Sequence, residues 1–447
     1  MKPEKPPFIS ETGSATLQPV SDQYKNYVLL MLTIVYIFNF IDRQILVILQ
    51  ESIKRDLALS DTQLGLLSGL SFAIFYVLLG IPIARLADKS NRKNIIAASL
   101  VVWSAMTAAC GLVQNFYQLL LARIGVGVGE AGCSPPAHAM ISDYFSSKKR
   151  ATALSVYSMG IYIGILFGFS LGGWLDSEYG WRIAFLSLGL PGVVFALLFF
   201  VSVKEPQRKQ TKATQNQIGP SQKQLRSEKG QEGIVEVFIF LFSKKSFLFL
   251  SLAVGLHTFS TYALGNWLPS FLSRIHGLPS REIGLYAGLI IGLAGAAGTI
   301  IGGLLADRLA RNDKSWYIKV SAYGAILALP FLATYYFHSS IEVVLAALFI
   351  GYACISTFLG PSIAITHSLV PSHMRAFSSS VLFLVLNLVG LGLGPLTVGI
   401  ISDYLQPELQ EQSLRWALAS TLFVSLIAIV LFFKAAKHIK QDLNNDD

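Results

Sequence analysis

Two ionisable residues stand side by side in the stretch NFIDRQIL (39–46), inside an apolar run that extends from near Tyr27 to about Leu49. A charge at the centre of a bilayer costs at least about 2.5–3.5 kcal/mol on insertion scales, so such residues normally face a bundle interior or a water-filled cavity. Neighbours on a helix point about 100° apart, so Asp42 and Arg43 cannot satisfy each other and need partners from another segment. A later apolar run supplies Arg123 and Glu130. Their spacing puts them on one helix face about 10 Å apart, and Gly127 between them leaves room for another side chain. Counting from the outer helix ends places Asp42 about 15 Å deep, Arg123 about 12 Å and Glu130 about 22 Å. The four groups can therefore share one polar cluster. That cluster is neutral with both acids ionised and gains one positive charge with each proton. Desolvation and a nearby arginine act in opposite senses on a carboxyl, and their balance decides whether it titrates in the physiological range. The expectation is that Asp42 or Glu130 carries a coupling proton while the arginines re-pair or bind an anionic headgroup. The alternative is a static salt-bridged network that fixes helix packing.

These residues must be held by membrane helices. The chain of 447 residues is 53% hydrophobic and 14% charged, against about 25% charged in a soluble domain. Apolar runs of about 20 residues recur along it, each long enough to span a bilayer as a helix. Segments such as LLLARIGVGVG lack the alternation of spanning strands. Twelve spans are predicted, at about 26–52, 61–85, 93–113, 115–143, 150–174, 181–203, 246–272, 281–306, 316–337, 341–368, 374–403 and 413–435. They define an N-terminal tail (1–25), a six-helix bundle (26–203), a linker with an interfacial helix (204–245), a second bundle (246–435) and a C-terminal tail (436–447). Basic residues crowd the loops on the side of the chain ends. The opposite side holds only Lys54, Arg55, Arg182, Arg274, Arg281 and Arg415. The positive-inside rule then puts both termini in the cytoplasm, with a bacterial inner membrane as the expected location. The net charge of +9 lies in these membrane-side loops, so no nucleic-acid partner is implied. Cys110, Cys133 and Cys354 have no disulfide or metal spacing and read as packed thiols.

The halves echo each other. PIARLADKSNRK (82–93) follows the second span and GGLLADRLARND (302–313) the eighth; RATALS (150–155) opens the fifth and RAFSSS (375–380) the eleventh. Trp181–Arg182 and Arg415–Trp416 open the sixth and twelfth spans. Two duplicated bundles related by an axis along the membrane normal form a central cleft, with a substrate site near the midplane. GGLLADR and the looser ARLADKSNRK, with Ala84 where glycine is usual, resemble the loop motif of major facilitator superfamily transporters. ARIGVGVGEAGCSP (122–135) resembles that superfamily's fourth-helix signature. Together with NFIDR and GVGEAGCSPPAHAMISDYF, the first half is similar to the spinster branch. This resemblance implies a secondary transporter of lysophospholipids or sphingosine phosphates, with proton coupling in some members. No cofactor is expected, and the expected working unit is a monomer among membrane lipids. The alternative substrate is a small soluble organic anion or sugar, with Arg43 or Arg123 binding its carboxylate.

Asp88 with Arg92, and Asp307 with Arg308, sit at the motif loops. An acid there can pair with basic residues and with a neighbouring helix N-terminus, and contacts made in one conformation and lost in another would act as gates. The pattern GVGEAG (127–132) matches a dinucleotide fingerprint but lies mid-span, where small residues serve close helix packing instead. Gly160, Gly164, Gly168 and Gly172 form a second such stripe. Candidate cavity groups in the second half are His257, Thr258, Tyr262, Asn266, His367 and Asn387, each reading more readily as hydrogen-bonded packing than as a substrate ligand. The sequence has no P-loop, no H-E-x-x-H and no nucleophile elbow, so no enzyme activity is expected.

Overall fold

A computed structural model of the protein describes residues 21–206, 234–371 and 374–444. Residues 1–20, most of the linker, residues 372–373, the last three residues and a few helix side chains, Asp88 among them, lie outside the described residues. Ten described helical stretches are each long and apolar enough to cross a bilayer. One, Phe377–Leu443, holds 67 residues, about 100 Å of helix. It reverses at Gln410, whose φ is 48° and ψ −122°, and so makes two crossings. The remaining crossing falls short of that length because it is broken: Phe116–Glu130 and Ser134–Tyr144 are separated by a turn. Pro135 and Pro136 sit in the first turn of the second piece, where neither can supply the N–H a continuous helix needs.

The twelve spans are α1 (Asp22–Leu57), α2 (61–89), α3 (Arg92–Cys110), α4 (116–144, with its break), α5 (Ser147–Tyr179), α6 (Trp181–Ser202), α7 (Lys245–His276), α8 (280–309), α9 (Trp316–Phe337), α10 (341–368), α11 (375–409) and α12 (413–444). A short apolar helix, Ile234–Ser243, precedes α7. Helix starts are fixed locally. The Ser21 hydroxyl accepts from the Tyr24 N–H, Ser60 and Gln63 form a capping box at α2, and Asn91 and Asn115 cap α3 and α4.

The packing repeats between halves, as the sequence echoes require. α1 lies along α5 as α7 lies along α11, and α3 packs on α6 as α9 packs on α12. The glycine stripe of α5 is what lets α1 approach. A Cβ at Gly164 would stand 2.6 Å from the Phe40 Cβ and 2.7 Å from the Ile37 carbonyl oxygen, and one at Gly160 would stand 3.1 Å from the Thr33 carbonyl oxygen. Where the bundles meet, α5 crosses α8 at Gly173 and Gly284, and α2 crosses α11 with Gly69 against the Leu391 and Gly392 carbonyls. Three of these four seam helices contain π-helical turns, at Leu66–Leu70, Ile290–Ala294 and Leu386–Leu393. The last of these ends at Gly394–Pro395, in the LVGLGLGPL stretch whose composition favours a bend.

Candidate functional site

The four ionisable residues read from the sequence converge in the N-terminal bundle. Asp42 (fully buried), Arg123 (2% exposed) and Glu130 (1% exposed) are sealed from solvent, whereas the Arg43 side chain keeps 19% of its surface. Arg43 Nε donates to Glu130 Oε2 at 2.6 Å. Glu130 is the last residue of the first piece of α4, so the break places its carboxylate opposite α1. The Arg43 guanidinium also lies among three aromatic rings, 5.1 Å from the Phe40 centroid, 4.8 Å from Phe72 and 5.0 Å from Tyr76. Such rings attract a cation through their quadrupole and hold the guanidinium plane in place. The space left by Gly127 is taken by Phe72 of α2, which stands 3.1 Å at its carbonyl oxygen from where a Cβ would be.

Asp42 and Arg123 do not form an ion pair. Arg123 donates to the main-chain carbonyl of Asp42 at 3.3 Å, and its Nε has no hydrogen-bond partner. Among the described residues the Asp42 carboxyl receives the Ser104 hydroxyl, at 3.4 Å, and its Oδ1 has no hydrogen-bond partner. Thr107 and Asn39 complete the setting, both buried with side-chain polar atoms that lack partners. Sequence reading passed over Asn39, Ser104 and Thr107. Only Asn39, one turn before Arg43 in the same NFIDR stretch, carried a signal.

The other candidates are spread more widely. His257 Nε2 lies 2.8 Å from the Ile355 carbonyl oxygen, with the ring packed against Phe358 and Phe432. Thr258 bonds back to the Val254 and Gly255 carbonyls and fills the space beside Gly390. Asn266 donates to the Tyr262 carbonyl and Asn387 to that of Phe383, while His367 pairs with Ser379 at 2.6 Å. Tyr262 is partly buried and packs against both the core around Phe72 and Leu391 and the core around Phe358. At the terminal face, which carries the described ends at Ser21 and Asn444, Arg92 bonds Asp143 (2.7 Å) and Glu205 (2.9 Å) on its own side of the molecule. Asp307 accepts from the Tyr317 hydroxyl at 2.8 Å, and Arg308 is exposed on the last turn of α8. The Asp88 side chain lies outside the described residues.

The far face holds a cluster that sequence reading did not assemble. Asp61, at the start of α2, takes Lys54 at 2.5 Å and Arg274 at 2.7 Å, and accepts from the Ser402 hydroxyl at 2.6 Å. Arg274 also reaches Glu51 at 2.7 Å. The Asp403 carboxylate caps α2 from the other bundle, accepting the N–H groups of Asp61 (2.9 Å) and Thr62 (2.7 Å), where an acid suits the positive helix end. Residues of α1, α2, α7 and α11 are thus tied together and the bundles are sealed at this face. The signal was present as Lys54 and Arg274, two of the few basic residues on that side, each beside a span end.

Residues 32–391 match the model of the Major Facilitator Superfamily, and the chain belongs to that family of membrane transporters. It is 32% identical over 92% of its length to an MFS-type efflux pump of Mycolicibacterium smegmatis, covering 93% of that protein. Within the family it is spinster-like. A solved bacterial homolog to the human lysosomal transporter Spinster, in an inward-facing and unoccupied conformation, superposes with a TM-score of 0.85 at 30% identity, over 95% of this chain and 99% of that one. Protein spinster homolog 1 of Xenopus tropicalis is 27% identical over 94% of this chain and 82% of its own.

Proposed function

We propose that this transporter works by alternating access, couples to protons through Asp42 and Glu130, and carries an amphipathic anion such as a lysophospholipid or a sphingolipid-like molecule. The observation that carries this reading is the split within the buried cluster. Arg43 is paired with Glu130 yet still reachable beside an aromatic wall, whereas Asp42 is sealed off with no ion pair. With a proton on Asp42, the Arg43–Glu130 pair is neutral and Arg123 leaves the cluster one positive charge in excess. An anionic headgroup arriving at Arg43 would meet that charge. Loss of the proton gives Arg123 a carboxylate to turn to, and the excess disappears. His257 and Thr258 are packed into the second bundle, and Tyr262, which lies against both the core around Phe72 and the core around Phe358, would meet an apolar chain. The sealed far face agrees with the inward-facing description of the solved spinster homolog. We take the terminal face as cytoplasmic, the membrane as a bacterial inner membrane and the monomer as the working unit, with Asp88, Arg92, Asp307 and Arg308 as gates.

The test is flux of a labelled lysophospholipid in proteoliposomes under both signs of an imposed pH gradient. The expected result is gradient-dependent flux, unaffected by hexuronates or sugars and made gradient-independent by Asp42→Asn or Glu130→Gln. Full coupling in both variants would reject the proton role. Flux abolished by excess hexuronate would replace the lipid by a soluble anion.

A further inference from the structure

At the terminal face, far from Arg43, the start of α9 and the end of α12 lie side by side around a cavity of about 290 Å³. Lys319 enters it from α9, Lys437 and Lys440 from α12, and Asp313 and Ser315 from the turn before α9, with Phe433 as its apolar wall. Asp313 is committed to its own turn. It accepts the Ser315 N–H at 3.0 Å and the Ser315 hydroxyl at 2.7 Å, while Lys319 and Lys440 share one of its oxygens at 3.4 and 3.7 Å. The hydrogen bonds from Ser315 hold the Asp313 carboxyl down at about 2, so it stays ionised in use. Three lysines thus line a cavity whose one carboxylate is already engaged by Ser315, Lys319 and Lys440.

The apolar side of the cleft continues into the membrane. Phe433 packs edge-on against Tyr323, with centroids 5.6 Å apart, and the Lys319 ammonium lies 5.3 Å from the Trp316 ring centroid. Stepping away from Lys319, Tyr323 and Leu327 follow at four-residue intervals on α9 and remain exposed. Stepping away from Phe433, Val430, Leu426 and Phe423 follow at intervals of three or four residues on α12 and are exposed too. A cationic mouth at the helix ends therefore opens onto an apolar rail about 12–15 Å long. A small inorganic anion would use only the mouth.

We propose that this cleft binds the phosphate headgroup of an anionic phospholipid from the leaflet on the terminal face, with its acyl chains lying along the α9–α12 rail. Basic pockets between helices at this depth are suited to such headgroups, and each lysine near them contributes about fivefold in affinity. The transport cavity plays no part in this site.

The test uses the full chain purified in detergent, with phosphatidylglycerol, phosphatidylcholine or inorganic phosphate added. Thermal unfolding and lipid retention in native mass spectrometry are the readouts. Phosphatidylglycerol should raise Tm and stay bound, and the other two should not. K319Q/K437Q/K440Q should weaken phosphatidylglycerol retention roughly a hundredfold, and K440Q alone, at an exposed position, about fivefold. A control triple of equal charge, K25Q/K149Q/K204Q, should retain the lipid as the wild type does. Equal effects of phosphatidylcholine or of inorganic phosphate would overturn the proposal. So would retention in the K440Q and triple variants equal to wild type, or a control triple that loses as much as the cleft triple.

Discussion

Arg43 and Asp42 are adjacent, yet their side chains depend on the fold in opposite ways. Arg43 is half of a buried, hydrogen-bonded pair, and removing one member of such a pair costs about 3–5 kcal/mol because the other is left uncompensated. Arg43→Gln should therefore lower Tm sharply, and Arg43→Gln/Glu130→Gln should recover much of the loss. Asp42 makes one long hydroxyl contact, so Asp42→Asn should change stability by less than about 1.5 kcal/mol. Thermal unfolding of the purified variants separates the cases, and an Asp42→Asn as unstable as Arg43→Gln would contradict this account. All four charges were legible in the sequence, since an ionisable residue in an apolar run stands out. Apart from the Arg43–Glu130 pair, their contacts were not. Arg123 goes to a main-chain carbonyl, and Asn39, Ser104 and Thr107 are neutral residues that hydropathy passes over.

At the level of helices, close approach governs what each can do. The α5 stripe was readable from its four-residue spacing because a face without side chains must meet something. That it meets α1, the helix carrying Asp42 and Arg43, took three dimensions to see. A Cβ at Gly164 must displace Phe40 or the α1 backbone, and overpacking of this kind costs about 1–3 kcal/mol. Gly164→Ala should lower Tm accordingly, whereas Gly80→Ala, with nothing within 4 Å of the added methyl, should leave it unchanged or slightly raised. Equal losses at both positions would mean that the stripe carries no packing role. The break in α4 was missed although its cause, Pro135–Pro136, is plain in the sequence. Hydropathy over 115–143 is continuous, and hydropathy set the span. The π-helical turns of α2 and α8 had no such plain local signature, whereas that of α11 lies in the glycine-rich stretch before Pro395.

Over the whole molecule, the twelve crossings were visible in composition, the duplication in the repeats and the family in the resemblance of its motifs, but the far-face seal was not. Arg274 and Asp61 are 213 residues apart, and only the docking of the two bundles brings them within reach. Asp61→Asn removes the carboxylate that Lys54 and Arg274 share. Allowing for their partial exposure, a loss of about 1.4 kcal/mol, or tenfold in the ratio of sealed to open forms, is a conservative expectation. Spin labels at Tyr117 and Tyr404, both exposed, should report a longer-distance population in the variant, and an unchanged distribution would show that glycine packing alone closes this face. The interrupted α4 has a mechanical consequence. An unbroken rod moves as one piece, but the Ser134–Tyr144 length is a separate lever hung from Ala131–Cys133, with Glu130 at its pivot and Asp143, gripped by Arg92, near its tip. Loosening Glu130 at the pivot would let the tip swing while the other length of the helix, clamped against α3, stays still.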